Sequence, residues 1–324
     1  MSTGGKSNQG SEGTEPTEAE SKGTAWGLGL LLGVGAVVFW SFGSSLVFLG
    51  ARQAGTWPFV ALSSLTGAGL QLVGRLWWRG ELRSALGLPW RLWAAPVGCF
   101  VLYGLAWPWA LAASTPGQVL GVNLINYLWP ILTVVFSAWW VPGVRLTGRL
   151  IAAMFLAVAG LALANLPQLR QALPAGPAAG SLPGRGLLPY ALALVAAVTW
   201  GIYSACLARW REWAKDYVTS PVSFLIIGGI ACVIVAASGG PAPRVAWPAL
   251  GLILLYGAGP LAAGYLLWEL ALPRAKVQAL SLLAATIPVL STFLLCLFLG
   301  KAPGPELIAA AFLVSGGVVL SLKQ

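Results

Sequence analysis

Long apolar stretches without a single charged side chain constrain this sequence more than any other feature. Residues 23 to 51, 53 to 74, 92 to 144, 217 to 243 and 277 to 300 contain no Lys, Arg, Asp or Glu. A membrane-spanning helix needs about 20 apolar residues, so each stretch can cross a bilayer at least once. Of the 324 residues, 58% are hydrophobic and 9% are charged, against roughly 25% charged in soluble domains. These features predict an all-α integral membrane protein embedded in a lipid bilayer.

Rare and missing residue types exclude several function classes. The chain has no His, and its four cysteines lie in apolar runs without a C-x-x-C pair, so no metal site or cofactor is predicted. A membrane-embedded enzyme would need His, paired carboxylates or metal ligands, whereas the one Asp, Asp216, lies in a loop. The net charge of +10 resides mostly in short loops, which indicates membrane topology rather than nucleic-acid binding.

The apolar runs divide into about ten predicted spans, flanked and interrupted by two polar or irregular segments. Residues 1 to 24, rich in Gly, Ser, Thr and Glu, are predicted to form a disordered cytoplasmic tail. Residues 167 to 186, rich in Pro and Gly, are predicted to form a periplasmic linker. The spans are predicted at 25–49, 57–77, 92–112, 118–140, 148–166, 187–208, 219–239, 247–268, 277–299 and 305–322.

Basic residues alternate between rich and poor loops along this series of spans. If the N-terminus is cytoplasmic, most of the 19 basic residues fall in inside loops and tails, and each outside loop holds only one or two. This is the positive-inside distribution. It predicts a multi-pass membrane protein with both termini in the cytoplasm.

Internal similarity divides the chain into two halves, 25–166 and 187–324. Because each half holds five predicted spans, the second half must enter the membrane in the opposite orientation. Inverted repeats around a central cavity are typical of alternating-access transporters. The matching segments are 36–44 with 196–204, 130–133 with 288–291, and 151–160 with 308–317.

Polar and aromatic residues near the middle of the spans form the predicted substrate site. Asn123, Asn126, Tyr127 and Pro130 share one stripe of the fourth span. The equivalent prolines Pro130 and Pro288 are predicted hinges, because interrupted helices at matching positions indicate a midplane site. Bridging to neighbouring helices remains an alternative for the amides, and a place in the interfacial belt remains one for the tryptophans. The other predicted substrate contacts are Trp40, Ser44, Tyr103, Trp200 and Tyr203.

The charged residues near the spans limit the kinds of solute that the site is expected to bind. No Lys or Arg lies within the core of a predicted span, so a phosphorylated or strongly anionic solute is not favoured over a net-neutral zwitterion. Glu269 is the one carboxylate close to a span. It is either a proton-coupling group or, the favoured interpretation, a helix-end residue that is solvated or paired with Arg274.

The segment Gly121-Val-Asn-Leu-Ile-Asn-Tyr-Leu-Trp-Pro130 carries the most specific resemblance. Together with the inverted five-span halves, it resembles the drug/metabolite transporter superfamily, whose repeat is called EamA, and within it the YddG-type exporters. The resemblance implies export of aromatic amino acids across the bacterial inner membrane through a central cavity, and it adds Trp129 to the site. A small neutral amino acid such as Thr, an aromatic cationic toxin or another metabolite remains the alternative solute. The protein is predicted to be a monomer.

Overall fold

The computed structural model describes residues 18–79, 82–114, 122, 125–164, 166, 186–239, 245–287, 289–290, 293–294, 302 and 304–322. Asn123, Pro288 and nearly all of the predicted linker lie outside these residues, as does the side chain of Ser44. The predictions made for them therefore remain predictions.

The described residues form helices joined by short turns. Two π-helical segments, Trp93–Val97 and Gly257–Gly264, each contain a proline. Proline has no backbone N–H, so the regular i→i−4 bond cannot form there and the turn widens. The α-helices are α1 (Glu18–Ala54), α2 (Thr56–Arg79), α3 (Arg83–Leu86), α4 (Trp90–Leu92), α5 (Gly98–Ala113), α6 (Trp129–Trp140), α7 (Gly148–Ala164), α8 (Leu188–Arg209), α9 (Arg211–Ala214), α10 (Ser220–Ala237), α11 (Trp247–Tyr256), α12 (Tyr265–Ala271), α13 (Val277–Ala284) and α14 (Pro305–Leu322).

Six helical stretches are long and apolar enough to cross a membrane, and they coincide with the first, second, third, sixth, seventh and eighth predicted spans. Shorter apolar helices cover parts of the fourth, fifth and tenth spans. Helix α13 begins the ninth span, whose remainder lies largely outside the described residues. Helix α1 starts at Glu18, inside the segment predicted as a tail. The described residues thus confirm an all-helical architecture with six candidate membrane spans, and the count of ten spans stays a prediction.

Each long helix packs against one to three main partner helices. Helix α8 packs against α5 and α6, whereas α1 packs against α11, α12 and α13. Helix α2 packs against α10, and α7 packs against α14. The largest buried cluster lies where α1, α5, α6, α8, α10 and α12 meet, and it is rich in aromatic side chains.

Helices α7 and α14 approach each other closely at two glycines. A Cβ atom built on Gly160 would lie 2.9 Å from the carbonyl oxygen of Ala310. A Cβ atom built on Gly317 would lie 2.8 Å from the carbonyl oxygen of Ala153. Gly160 is equivalent to Gly317 in the internal alignment, and Ala153 is equivalent to Ala310. The two contacts are therefore reciprocal, and the helices run antiparallel.

Candidate substrate site at the centre of the helices

Three tryptophans from three helices meet at the centre of the molecule. Trp40 of α1 and Trp200 of α8 occupy equivalent positions in the two halves, and their ring centroids are 5.6 Å apart at an interplanar angle of 79°. Trp129 at the start of α6 lies 6.4 Å from Trp40 and 5.7 Å from Trp200, again edge to face. Edge-to-face packing of this kind is the favoured arrangement of aromatic rings.

A second set of aromatic rings surrounds these tryptophans. Tyr103 of α5 lies 4.7 Å from Trp200, and Tyr203, one turn further along α8, lies 4.9 Å from it. Tyr265 of α12 lies 5.1 Å from Trp40 and 4.9 Å from Phe100. Together the two sets form the aromatic cluster, which consists of Trp40, Phe100, Tyr103, Trp129, Trp200, Tyr203, Phe224, Tyr265 and Trp268.

Some polar atoms in and beside the cluster have hydrogen-bond partners, and others have none among the described residues. The Trp40 Nε1–H donates to the carbonyl oxygen of Pro260 at 3.1 Å. Pro260 lies in the second π-helical segment. The Trp268 Nε1–H donates to the Ser204 hydroxyl at 3.4 Å. In contrast, Trp200 Nε1 and Asn126 Oδ1 are buried without a hydrogen-bond partner within the described part of the chain. Buried polar groups are rarely left unpaired, because the loss costs about 1–3 kcal/mol.

The two residues that carry these unpaired atoms, Trp200 and Asn126, both contact Tyr103. The Tyr103 ring contacts Trp200, and the Tyr103 hydroxyl forms a side-chain interaction with Asn126. One unpaired atom is a hydrogen-bond donor and the other is an acceptor. The cluster can therefore offer partners of opposite polarity to a bound molecule.

Most of the predicted site residues come together in this cluster. Trp40, Tyr103, Asn126, Trp129, Trp200 and Tyr203 all lie at the centre. Tyr127 and Pro130 lie beside it and border a small gap against Ala157 of α7 and Ala284 of α13. Trp129 reaches the centre because the chain turns at Tyr127 and Leu128, where Leu128 N–H donates to the Ile125 oxygen at 3.1 Å. A new helix then starts at Trp129, so the stripe expected for one continuous helix does not apply.

Glu269 is not a solvated residue at a helix end, and that interpretation is wrong. Its side chain is 1% exposed, and the Arg274 guanidinium donates to the carbonyl oxygen of Leu270 at 2.7 Å. The carboxyl group instead accepts hydrogen bonds from hydroxyl groups at the beginning of α10 and on α8. Tyr203 Oη lies 2.6 Å and Thr219 Oγ1 2.5 Å from Oε1, and the Thr219 N–H donates to Oε2 at 3.0 Å.

Several residues of the centre were not predicted from the sequence. Phe100, Tyr265 and Trp268 join the cluster from α5 and α12. Gln71 reaches it from α2, where its side-chain amide donates to the carbonyl oxygens of Leu261 and Ala262 at 3.1 and 3.0 Å. One signal was available for Tyr265 and Trp268, because they precede Glu269 on the same helical face. No comparable signal marks Gln71 or Phe100.

Comparison with known proteins places this arrangement in a family. The chain is 30% identical to the aromatic amino acid exporter YddG of Ancylobacter novellus over 90% of this chain and 96% of that protein. It belongs to the drug/metabolite transporter superfamily and is YddG-like. Residues 187–323 match the model of the EamA-like transporter family. An uncharacterised protein of Pseudomonas aeruginosa is 29% identical over 56% of this chain and 57% of its own length.

A solved structure supports the fold of this EamA-family chain. A protein crystal structure superposes with a TM-score of 0.75 at 24% identity, covering 90% of this chain and 96% of that one. Family membership and the apolar helices together identify a multi-pass membrane transporter rather than an enzyme. The aromatic cluster is thus the candidate site of a transporter.

Proposed function

We propose that this protein exports amino acids, most of all the aromatic ones, across the bacterial inner membrane by alternating access. The aromatic cluster is the substrate site in this proposal. The alternative is export of another net-neutral amino acid such as Thr, or of an aromatic cation, through the same site. The name of the Ancylobacter relative favours the aromatic amino acids.

The observation that carries the proposal is the pair of unpaired atoms at Trp200 and Asn126. The indole N–H can only donate, which suits a substrate carboxylate. The Asn126 Oδ1 atom can only accept, which suits a substrate ammonium group. A zwitterion carries both groups on one carbon, and Trp200 and Asn126 both contact the same residue, Tyr103. The aromatic rings around them would pack against an aromatic side chain, at about 0.5–1.5 kcal/mol per ring pair beyond burial.

The packing scheme of the helices supports the inverted repeat. In the proposed repeat, α8 corresponds to α1, α5 to α12, and α6 to α13. Helix α8 contacts α5 and α6, and α1 makes the corresponding contacts with α12 and α13. The reciprocal contacts of Gly160 and Gly317 obey the same exchange. A second pair of close contacts also joins corresponding helices. Gly104 packs against Ile227 of α10, and Gly257, in the span that corresponds to α5, packs against Thr66 of α2. In this proposal the halves rock around the aromatic cluster, with Pro130 and Pro288 as hinges.

A basic cavity at the end of α8 supports cytoplasmic entry. It is lined by Arg91, Arg209, Arg211, Glu212 and Trp213, and the Arg91 guanidinium lies 5.2 Å from the Trp213 ring centroid. In the proposed topology these residues lie in inside loops, with both termini in the cytoplasm. A cavity rich in Arg attracts a carboxylate and would raise the local concentration of amino acid at the entrance.

Counterflow in proteoliposomes tests the proposal. Vesicles loaded with unlabelled Phe are expected to accumulate labelled Phe and Trp faster than labelled Thr. Trp200→Phe removes the indole N–H and keeps an aromatic ring. Loss of a hydrogen bond to a charged group costs about 1.5–3 kcal/mol, which is roughly a ten- to hundredfold loss of Phe affinity.

The matched control is Trp139→Phe, because Trp139 is 70% exposed on α6 and contacts only Phe136 among the described rings. It is expected to transport like the unaltered protein. Equal loss in both variants would refute the role of Trp200. Thr counterflow faster than Phe counterflow would favour the alternative solute.

A further inference from the structure

The buried carboxyl group of Glu269 lies in a hydrogen-bonded chain whose direction can be worked out atom by atom. The chain runs from the carbonyl oxygens of Leu261 and Ala262 through Gln71 and Ser220 to Glu269. Gln71 belongs to the first half of the protein and the other members to the second. All the polar side chains of this chain are at most 4% exposed.

The two carbonyl oxygens determine the orientation of Gln71. Its Nε2 atom lies 3.1 and 3.0 Å from the oxygens of Leu261 and Ala262, which can only accept hydrogen bonds. The other amide atom, Gln71 Oε1, therefore faces Ser220 at 2.7 Å and must accept. Because a hydroxyl group has a single proton, Ser220 donates that proton to Gln71.

This orientation leaves a lone pair of Ser220 facing Glu269. Ser220 Oγ lies 3.2 Å from Glu269 Oε2, but its proton is already directed at Gln71. A hydrogen bond between these two oxygens would need one proton between them, and Ser220 has none left to give to Oε2, which already accepts the Thr219 N–H at 3.0 Å. The other carboxyl oxygen, Oε1, already accepts from the Tyr203 and Thr219 hydroxyls. A proton on Oε2 completes the chain.

We propose that Glu269 is a proton-binding site of this transporter, loaded at Oε2 when the two halves are closed around Gln71 and Ser220. The inference rests on the proposed transport function and deepens it by naming the proton as a second transported species. A protonated carboxyl group donates to Ser220 and stays neutral, which suits a site buried from water.

Separation of the halves would release the proton. When Gln71 moves away from Ser220, the serine hydroxyl is free to rotate and donate to Glu269 Oε2. The carboxylate then accepts from Tyr203, Thr219 and Ser220 together, and hydrogen bonds to the charged form favour ionisation. The O–H bond at Oε2 breaks, its electron pair stays on the carboxylate, and the proton passes to water at the opened face. Conformation and proton binding are thereby coupled through one serine hydroxyl.

The groups around Glu269 offer no competing charge within the described residues. Tyr203 from α8 is its one directly bonded titratable neighbour. On α2, Arg75 lies one turn beyond Gln71 and donates to the Ser84 hydroxyl at 2.9 Å. Arg274 binds the carbonyl oxygen of Leu270, and the exposed side chains of Lys215 and Asp216 lie in the turn before α10.

Infrared spectroscopy of the full-length protein in vesicles tests the protonation without any substrate. At neutral pH, the unaltered protein is expected to show the C=O stretching band of a buried protonated carboxyl group, and Glu269→Gln is expected to remove it. Gln71→Leu frees the Ser220 proton for Glu269, so most of the band is expected to disappear. Ser220→Ala removes that proton, so the band is expected to remain. No Glu269-dependent band in the unaltered protein, or a full band in Gln71→Leu, would overturn the proposal.

A transport measurement separates this inference from the proposed function. Phe-loaded vesicles with an internal pH dye report amino acid and proton movement together. The ratio of protons to Phe moved is expected to fall to zero in Glu269→Gln and to stay unchanged in Glu306→Gln, which alters a carboxyl group at the start of α14. Phe counterflow without any proton movement in the unaltered protein would overturn the proton site and leave Phe export standing. Absence of Phe counterflow, with the Glu269 infrared band present, would overturn Phe export and leave the proton site standing.

Discussion

At the scale of single residues, the hydroxyl groups around Glu269 determine how a carboxyl group can lie inside a membrane protein. Moving an unpaired carboxylate out of water is expensive. Here Tyr203 and Thr219 supply hydroxyl groups at 2.6 and 2.5 Å, and the first turn of α10 supplies a backbone N–H. A helix N-terminus also favours negative charge. The same pocket can therefore hold the neutral and the ionised form of the side chain.

Tyr203→Phe isolates one of these hydroxyl groups. The substitution keeps the ring in the aromatic cluster and removes one donor from Glu269 Oε1. We expect a loss of about 1–3 kcal/mol of unfolding free energy, because a buried hydrogen bond to a carboxyl group is lost. Unfolding in mixed detergent micelles measures it. Tyr190→Phe, at the half-buried start of α8, is the matched control and is expected to change stability by less than about 0.5 kcal/mol.

Gly264→Ala tests how the position of the Trp40 side chain in the aromatic cluster affects transport. A Cβ atom at Gly264 would lie 2.8 Å from Trp40 Nε1, which donates to Pro260. Overpacking of this kind costs about 1–3 kcal/mol, and the displaced ring would no longer meet Trp200 edge to face. We expect weaker Phe counterflow and a changed tryptophan emission spectrum. Gly251→Ala, with open space around the new methyl group, should match the unaltered protein.

At the scale of elements, the proline-containing π-helical segments and the glycine contacts decide how helices pass one another. The segment Gly257–Gly264 presents its carbonyl oxygens to Trp40 and Gln71, which come from two different helices. A regular α-helix would use those oxygens internally. The widened turn at Pro260 therefore connects α1 and α2 to the second half.

Two neighbouring glycines on α14 allow a sharp test of the α7–α14 contact. A Cβ atom at Gly317 would lie 2.8 Å from the Ala153 carbonyl oxygen, whereas one at Gly316 meets open space. We expect Gly317→Ala to destabilise the protein by about 1–3 kcal/mol. Gly316→Ala should be neutral or slightly stabilising, since it also removes a helical glycine. Equal effects of the two substitutions on detergent unfolding would contradict the contact.

At the scale of the whole molecule, the internal sequence alignment pairs exposed residues as well as buried ones. Phe155 and Phe312 occupy equivalent positions in the internal alignment and are 71% and 75% exposed. Exposed large apolar side chains are expected where a helix faces lipid. The equivalent faces of α7 and α14 thus have the same environment on the two sides of the proposed symmetry axis.

The proposed opposite orientation of the halves makes a prediction about topology. Gln53 lies in the last turn of α1 and Glu212 follows α8, the counterpart of α1 in the proposed second half, and both side chains are exposed. In a background without the four native cysteines, Gln53→Cys is expected to react with an impermeant thiol reagent in whole cells. Glu212→Cys should react only after the cells are opened. Labelling of both positions from the same side would contradict the inversion.

The helical spans were predictable because the requirement behind them is local. A backbone in hydrocarbon must satisfy its hydrogen bonds within each segment, so apolar length alone marks a helix. The aromatic cluster was predictable in part, since Trp40, Tyr103 and Trp200 repeat or share faces along their helices. Trp129 was reached only through the family resemblance, because the turn at Tyr127 and Leu128 breaks the helical geometry on which a stripe depends.

What the sequence alone determined is the helical class, the positions of six long apolar helices and the absence of Lys and Arg from the cores of the predicted spans, all of which follow from one-dimensional patterns of charge and hydropathy. Only the tertiary structure showed that Glu269 is buried and hydrogen-bonded. Along the chain it reads as a helix-end acid beside Arg274, yet its partners Tyr203 and Thr219 are far away in sequence. Gln71 and Ser220, 149 positions apart, meet only because α2 packs against α10. Hydrogen bonds depend on distance and direction in space, and no local pattern in a sequence records them.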